Sequence, residues 1–176
     1  MLGIGKSASY VTIDTNFQTL ATTTPSPEKL ENIDSKILAR SEVGKIYKMV
    51  RASKFNLLYR ASRDGFLAKD FHDKCDGIPN TIVLVKRRLS NYVFGGVTTK
   101  AWDSTGNWIT DNKAYLFSLR RGGFGETVKF YVNVGQEQNA LLGDPKTGPN
   151  FGNNLILAND AFNEYSNTMS SWYILK

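Results

Sequence analysis

The sequence is poor in the residues that build disulfides and metal sites, because its 176 residues include one cysteine and one histidine. A single cysteine excludes an intrachain disulfide, and two such residues are too few for the three or four ligands of a zinc site. The GIGKS stretch at residues 3–7 lacks the first glycine of a phosphate-binding loop. We therefore expect neither a metal nor a cofactor.

Long hydrophobic runs are lacking as well. No apolar stretch approaches the roughly 20 residues that span a bilayer. The segment MLGIGKSASYVTIDTNF at residues 1–17 has no continuous apolar stretch of the kind found in a secretory signal. The composition, 41% apolar and 22% charged, is that of an ordinary soluble globular protein. These features predict a cytoplasmic protein without membrane insertion.

Acidic residues are fewer than basic ones, 16 against 22, which gives a formal net charge of +6. A nucleic-acid-binding protein usually concentrates its basic residues on one face, whereas charges of both signs are mixed along most of this chain. The pattern therefore favours a solvated basic surface over a nucleic-acid interface. Part of the excess lies in two short clusters, which are Lys86, Arg87, Arg88 and Arg120, Arg121.

The composition and hydrophobic pattern of the sequence change twice along the chain. Residues 1–26 are rich in serine and threonine, which predicts a flexible tail with a short strand at YVTI. Residues 27–52 show apolar positions at spacings of three and four, which predicts a helical part with a break near Ser41. From residue 55 onward, short apolar segments alternate with turn sequences such as DSTGN and DPKTGPN.

The short apolar segments after residue 55 predict seven or eight β-strands that are connected by loops. TIVLVK at 81–86 is almost wholly apolar, as expected of a strand that is covered on both faces. The segment DSTGNWITDNKA is expected to form a long hairpin turn. The class is therefore α+β: a sandwich of two antiparallel β-sheets over residues 55–176, flanked by short helices.

One helix is expected within the strand-rich part, at residues 65–75, in SRDGFLAKDFHDKCDG. Asp64 is placed to cap its start, and Gly77 to end it in a left-handed conformation. At 100° per residue the sequence predicts one apolar stripe with His72 at its edge. The members of the stripe are Leu67, Ala68, Phe71 and Cys75.

The same helix raises the question of thiol chemistry, since Cys75 and His72 are one helical turn apart. A catalytic thiolate has to be exposed, with its base oriented by a third group. The position of Cys75 on the apolar stripe instead predicts a buried sulfur that packs as a small hydrophobe. A peroxide-reactive enzyme that uses Cys75 is the alternative hypothesis.

The stretch LLYRASRDGFLAKDFHDKCDG, followed by PNTIVLVK, YVFGGVTTKAWDS, AYLFSL and GPNFG, resembles the TLDc domain of the oxidation-resistance family. The versions in unicellular eukaryotes are the most similar. The resemblance runs from about Ser35 to the carboxyl terminus, and the likeness predicts one TLDc-like domain over residues 27–176. The residues that match the family signature are Asp64, Gly65, Phe71, Cys75, Asp76, Phe94, Gly95, Gly96, Trp102, Gly148, Pro149, Phe151 and Gly152.

The resemblance implies a sandwich of two antiparallel sheets with flanking helices, no established catalytic mechanism, and mainly structural roles for the signature residues. Family members protect against oxidative stress, and several bind the vacuolar proton-pumping ATPase. One departure stands out. Many relatives have a run of glycines after the last Phe-Gly of the signature, where this chain has Asn153 and Asn154.

These observations lead to the hypothesis of a non-catalytic protein-interaction module. Its expected partner is the peripheral part of the proton pump, and its expected role is in oxidative-stress resistance. On charge grounds the candidate interaction surface comprises Lys86, Arg87, Arg88, Arg120 and Arg121. Besides the Cys75 enzyme, a weak polyanion binder is a further alternative, whose affinity would fall steeply with salt.

Overall fold

A computed structural model describes residues 11–14, 37–52, 54–87, 92–120, 127–152 and 154–158. Within them a six-stranded antiparallel sheet has the strand order β2-β1-β3-β4-β6-β7. Its strands are β1 (Val11–Asp14), β2 (Asn56–Arg60), β3 (Thr81–Lys86), β4 (Val93–Thr98), β6 (Tyr115–Arg120) and β7 (Val128–Tyr131).

A second, smaller layer of antiparallel pairs covers one face of this sheet. Strand β9 (Thr147–Phe151) pairs with β10 (Leu155–Ala158), and β5 (Trp108–Ile109) pairs with β8 (Leu141–Leu142). A single 3₁₀ turn, Glu137–Asn139, precedes β8. The α+β class with antiparallel sheets that the sequence predicts is confirmed.

The helices are short. They are α1 (Arg40–Val50), α2 (Ala61–Asp64) and α3 (Ala68–Cys75). Among the residues described, no helix is both long and apolar enough to cross a membrane.

The middle of the central sheet is buried on both faces, which explains why the sequence of β3 is almost wholly apolar. Ile82 and Leu84 pack against the α1 side, whereas Val83 and Val85 pack against α3 and the second layer. Alternate side chains of a strand point to opposite faces, so a strand between two layers needs apolar residues at every position. The prediction for TIVLVK is confirmed.

Helix α1 is fixed to the sheet at both of its ends. Near its start, Arg120 forms an ion pair with Glu42 at 3.2 Å and donates to the carbonyl of Ile37 at 3.1 Å. Near its end, the Met49 carbonyl accepts hydrogen bonds from Tyr115 Oη at 3.2 Å and Lys129 Nζ at 3.1 Å. A cation at the carboxyl end of a helix is favoured by the helix dipole.

Helix α1 begins one residue before the break expected at Ser41. The Glu42 carboxylate accepts the backbone N–H of Ala39 at 2.7 Å, so a carboxylate within the first turn replaces the serine cap. Within the helical part expected over 27–52, residues 37–39 are non-helical and α1 begins at Arg40, close to the break predicted near Ser41. The part of that expected helix at 27–36 lies outside the described residues.

Helix α3 differs from its prediction at the start and agrees at the end. Asp64 does not cap it; the Asp70 carboxylate accepts the N–H of Leu67 at 3.0 Å instead. Leu67 therefore precedes the helix and is exposed, so its placement on the apolar stripe is wrong. Ala68, Phe71 and Cys75 are buried as predicted. Gly77 has φ +77°, which confirms its left-handed conformation.

Three further strands can be compared with the sequence prediction. The short strand predicted at YVTI corresponds to β1, Val11–Asp14, which pairs with both β2 and β3. The rest of residues 1–26 lies outside the described residues. The structure differs from the prediction at β5 and β9, which lie in segments that the turn-rich sequences DSTGNWITDNKA and DPKTGPN led us to expect as turns.

Candidate functional site

Three aromatic residues that match the family signature, Phe71, Trp102 and Phe151, pack together in one buried cluster. The Trp102 ring lies 5.6 Å from Phe71 and 5.2 Å from Phe151, both edge-on. Its indole N–H donates to Thr81 Oγ1 at 2.9 Å, which satisfies the one polar group that burial would otherwise leave unpaired. The cluster joins α3, β9 and the start of β3, and therefore holds the second layer on the sheet.

Four glycines of the signature leave no room for a side chain. A Cβ at Gly95 would lie 1.8 Å from the Val83 carbonyl oxygen, and one at Gly65 would lie 2.0 Å from the Asp70 carboxylate. A Cβ at Gly96 would lie 2.4 Å from the Phe151 ring, and a Cβ at Gly152 would lie 2.5 Å from the Asn139 carbonyl oxygen. Gly152 also has φ +57°. Of the other signature positions nearby, Gly148 and Pro149 are buried and Phe94 is half-buried.

Asp64, an acidic residue of the family signature, is the last residue of α2. Its carboxylate accepts hydrogen bonds from the Arg63 guanidinium at 2.8 Å and from the Arg60 backbone N–H at 2.8 Å. The Arg63 hydrogen bonds, with smaller help from the Arg60 amide, lower the pKa of Asp64 below its usual value although partial burial opposes them. Next to it, the Gly65 carbonyl accepts the Tyr59 hydroxyl at 2.6 Å.

His72 is buried, and it joins the end of α3 to the turn before β9. Its Nδ1 is 2.7 Å from the Asp76 carboxylate. Its Nε2 is 3.1 Å from the carbonyl oxygen of Asp144 and 2.9 Å from that of Thr147. All three partners are oxygen atoms, so both ring nitrogens of His72 are engaged within the protein.

Asp76 continues this network on its other side. Its second carboxylate oxygen accepts the Ser104 hydroxyl at 2.6 Å, and its backbone forms a bridge with Trp102. The serine therefore contacts the aspartate and not the imidazole, which is the reverse of the order in which a catalytic triad activates its nucleophile. The network connects the end of α3 to the loop after β4 and to the turn before β9.

Cys75 is wholly buried, with 0% of its surface exposed, and it belongs to the same core as Phe71 and Trp102. Both ring nitrogens of His72 are occupied by oxygen partners. Neither the access nor the free base of a thiol active site is present at this position.

The described members of the two basic clusters lie at one end of the central sheet. Lys86, the last residue of β3, is opposite Val93, the first residue of β4, and Val93 is opposite Arg120, the last residue of β6. Adjacent strands are about 4.8 Å apart, which places Lys86 and Arg120 roughly 10 Å from each other. We call Lys86, Arg87 and Arg120 the basic end.

The members of the basic end differ in how accessible they are. Arg87 is exposed and Lys86 is half-buried, whereas Arg120 is held by Glu42 and Ile37. Arg120 is thus committed to fixing α1, which sequence reasoning did not anticipate. Arg88 and Arg121, the other predicted members of the surface, lie outside the described residues.

Comparison with known protein families gives one match: the TLDc domain, over residues 31–172. The chain belongs to the TLDc domain family. No curated protein and no solved structure matches the chain. TLDc domains are protein-interaction modules, and the family is generally linked to resistance to oxidative stress.

One hydrogen-bonded cluster of this TLDc domain, around Asp111, was not predicted from the sequence. The buried carboxylate of Asp111 accepts four hydrogen bonds, from Thr98 Oγ1, from the backbone and side chain of Thr99, and from the Lys113 backbone, at 2.7 to 2.9 Å. These bonds connect the end of β4 to the start of β6. The Asp-Asn pair at 111–112 is a common turn signal, and it was the only sign of this role in the sequence.

Proposed function

We propose that this TLDc domain is a non-catalytic protein-interaction module that binds the peripheral part of the vacuolar proton-pumping ATPase. Its contribution to oxidative-stress resistance follows from that binding. The observation that carries the proposal is the basic end, where the half-buried Lys86 and the exposed Arg87 lie together at the end of β3. A partner with an acidic patch is attracted to such a surface, and the attraction orients it before contact.

The interior of the domain supports a role that does not depend on catalysis. The sulfur of Cys75 is inaccessible, and the imidazole of His72 joins backbone segments to each other. The signature residues Trp102 and Phe151 pack in the core. Side chains that pack and hydrogen-bond in this way stabilise the fold, so we place partner binding at the surface of the domain.

Affinity capture with a matched pair of variants tests the proposal. The first variant reverses the charge of Lys86 and Arg87, and the control reverses the charge of Lys100 and Lys113, both exposed and both near the opposite ends of the same set of strands. Both variants change the net charge equally. We expect the wild type and the control to capture peripheral pump subunits from cell extract, and the first variant to capture at least about tenfold less.

Two results would count against the proposal. Wild-type protein that captures no pump subunit at any nucleotide or salt condition would refute the choice of partner. Equal loss of capture in both variants would refute the basic end as the docking surface, because the effect would then follow net charge alone. Melting temperatures of all three proteins, measured in parallel, show that the comparison is between folded chains.

A further inference from the structure

The outward face of helix α1 consists largely of basic side chains. Arg40, Lys45 and Lys48 are exposed, as is Arg51, which follows the last residue of the helix. At 100° per residue Arg40, Lys45 and Lys48 lie within an arc of about 140°, opposite the residues of α1 that are buried against the sheet. We call Arg40, Lys45, Lys48 and Arg51 the α1 basic face.

The acidic charge of the helix does not reach this face. Glu42 is the sole acid between residues 35 and 63, a segment that contains eight lysine and arginine residues. Its carboxylate is buried, pairs with Arg120 at 3.2 Å and accepts the Ala39 N–H at 2.7 Å. Helix α1 itself therefore provides no acid to offset the positive charge on its outward face.

The positive charges are closely spaced toward the carboxyl end of α1. Lys45, Lys48 and Arg51 follow one another at intervals of three residues, a spacing that makes successive side chains neighbours on a helix. Lys129 of β7 joins them, since its Nζ donates to the Met49 carbonyl at 3.1 Å. Burial, which is the larger cause, and the neighbouring Arg51 lower the pKa of Lys129 below its usual value. Like charges at this spacing repel one another, and an anionic partner would relieve the repulsion.

The α1 basic face is long and contains no aromatic residue. From Arg40 to Arg51 the rise is about 16 Å at 1.5 Å per residue. The one aromatic side chain of the helix, Tyr47, is buried. Binding of single-stranded nucleic acid relies on exposed aromatic rings, and protein interfaces are usually centred on aromatic or apolar anchors. Since this face offers neither, it is suited to a partner that is recognised by charge alone.

An anionic membrane surface is a partner of this kind. Clusters of about four to eight lysine and arginine residues on an amphipathic helix are typical of proteins that bind acidic phospholipids. The apolar side of α1 takes no part in such binding, because Ile46 and Val50 pack in the core beneath the helix. Contact with a membrane would therefore stay at the level of the headgroups.

We propose that the α1 basic face docks the domain on the anionic headgroups of a membrane, with the helix axis parallel to the bilayer and without insertion. Each basic residue at the surface raises the partition of a protein onto an acidic membrane roughly fivefold. The proposal does not depend on the function proposed above, because Lys86 and Arg87 of the basic end are not part of this face.

Co-sedimentation of the full purified chain with vesicles tests this proposal. One set of vesicles is phosphatidylcholine with about 30% phosphatidylserine, and the other is phosphatidylcholine alone. We expect the wild type to bind the acidic vesicles at least about tenfold more strongly than the neutral ones, and to be released as salt is raised from about 0.05 M to about 0.5 M. A fluorescein-labelled DNA duplex of about 20 base pairs, measured by fluorescence polarisation, is the comparison for a nucleic-acid partner.

A matched pair of double variants locates the binding. Arg40→Gln with Lys48→Gln removes two charges from the α1 basic face, and glutamine has a helix propensity similar to that of arginine and lysine. The control, Lys74→Gln with Lys146→Gln, removes two exposed charges on the opposite side of the central sheet. We expect the first variant to lose at least about tenfold in binding to the acidic vesicles and the control to lose less than about threefold. Melting temperatures measured in parallel show that all the proteins are folded.

A third double variant, Lys86→Gln with Arg87→Gln, distinguishes this face from the basic end and should also lose less than about threefold. Equal loss in the α1 variant and in either of the other two would overturn the proposal. It is overturned as well if the wild type does not bind acidic vesicles at low salt, or if it binds the duplex and not the vesicles. A failure of the pump-capture experiment together with normal vesicle binding would refute the proposed function and leave the membrane-docking face supported.

Discussion

The ring of Phe151 occupies the space that a side chain at Gly96 would need: a Cβ built there would lie 2.4 to 2.7 Å from three ring atoms. Gly96 lies in the middle of β4 and Phe151 ends β9, so the contact joins the central sheet to the second layer. The absence of one side chain thus allows the two layers to approach each other, and Trp102 packs against the same ring.

Substitution Gly96→Ala is expected to destabilise the domain by about 1–3 kcal/mol, because the added methyl group overpacks the contact with Phe151. In a Phe151→Leu background the same substitution should cost less, since the smaller side chain leaves room. Urea unfolding of the wild type, both single variants and the double variant measures the coupling free energy. Strictly additive effects would contradict the proposed contact.

Replacement of His72 by phenylalanine should cost about 1–3 kcal/mol of unfolding free energy, because the Thr147 and Asp144 carbonyls and the Asp76 carboxylate lose their shared donor. The same helix carries the exposed Lys74, and Lys74→Ala is the matched control, with a change within about 0.5 kcal/mol. Thermal and urea unfolding give both values. If His72→Phe is as stable as the wild type, the histidine does not join α3 to the turn before β9.

Asp64→Asn should lower stability at neutral pH by about 1–3 kcal/mol, and the loss should shrink in acid. The folded-state pKa of Asp64 lies below its usual value of 3.8, so folding favours the ionised form. The stabilisation is complete at pH values above 3.8 and is lost as the pH falls through the folded-state value. Unfolding of wild type and variant at pH 7 and at about pH 2 measures the difference, and a gap that is the same at both pH values would be inconsistent with this account.

Cys75 should react slowly with a thiol reagent in the native protein, because no part of its side chain is exposed. Reaction with Ellman's reagent at neutral pH should be slower by at least about 100-fold than in urea. The variant Lys113→Cys, which adds a thiol at an exposed position, should take up one equivalent rapidly. Rapid labelling of the wild type would instead favour the thiol-enzyme hypothesis.

Much of the local structure could be predicted from sequence because local patterns determine it. The uninterrupted apolar run of β3 predicted a strand covered on both faces, and Gly77 predicted the left-handed end of α3. The start of α3 was placed wrongly, since Asp64 and Asp70 are both good capping residues and only the three-dimensional structure shows that Asp70 contacts Leu67. Strand β9 contains Gly148 and Pro149, which are typical of turns, and only its pairing with β10 makes it a strand.

The candidate site could not be predicted in the same way, because it depends on contacts between residues that are distant in sequence. The partners of His72 Nε2 lie 72 and 75 residues further along the chain, and no local spacing could have indicated them. The pairing of β4 with β6 likewise brings Arg120 beside the end of β3.

The most direct test of the account is the association rate of the purified domain with purified peripheral pump subunits as ionic strength is raised. For the wild type and the Lys100, Lys113 charge-reversal control, we expect fast association at low salt that slows steeply toward physiological salt. Reversal of charge at Lys86 and Arg87 should slow association at low salt by at least about tenfold and flatten its salt dependence. Association that is equally fast for all three proteins at low salt would contradict docking through the basic end.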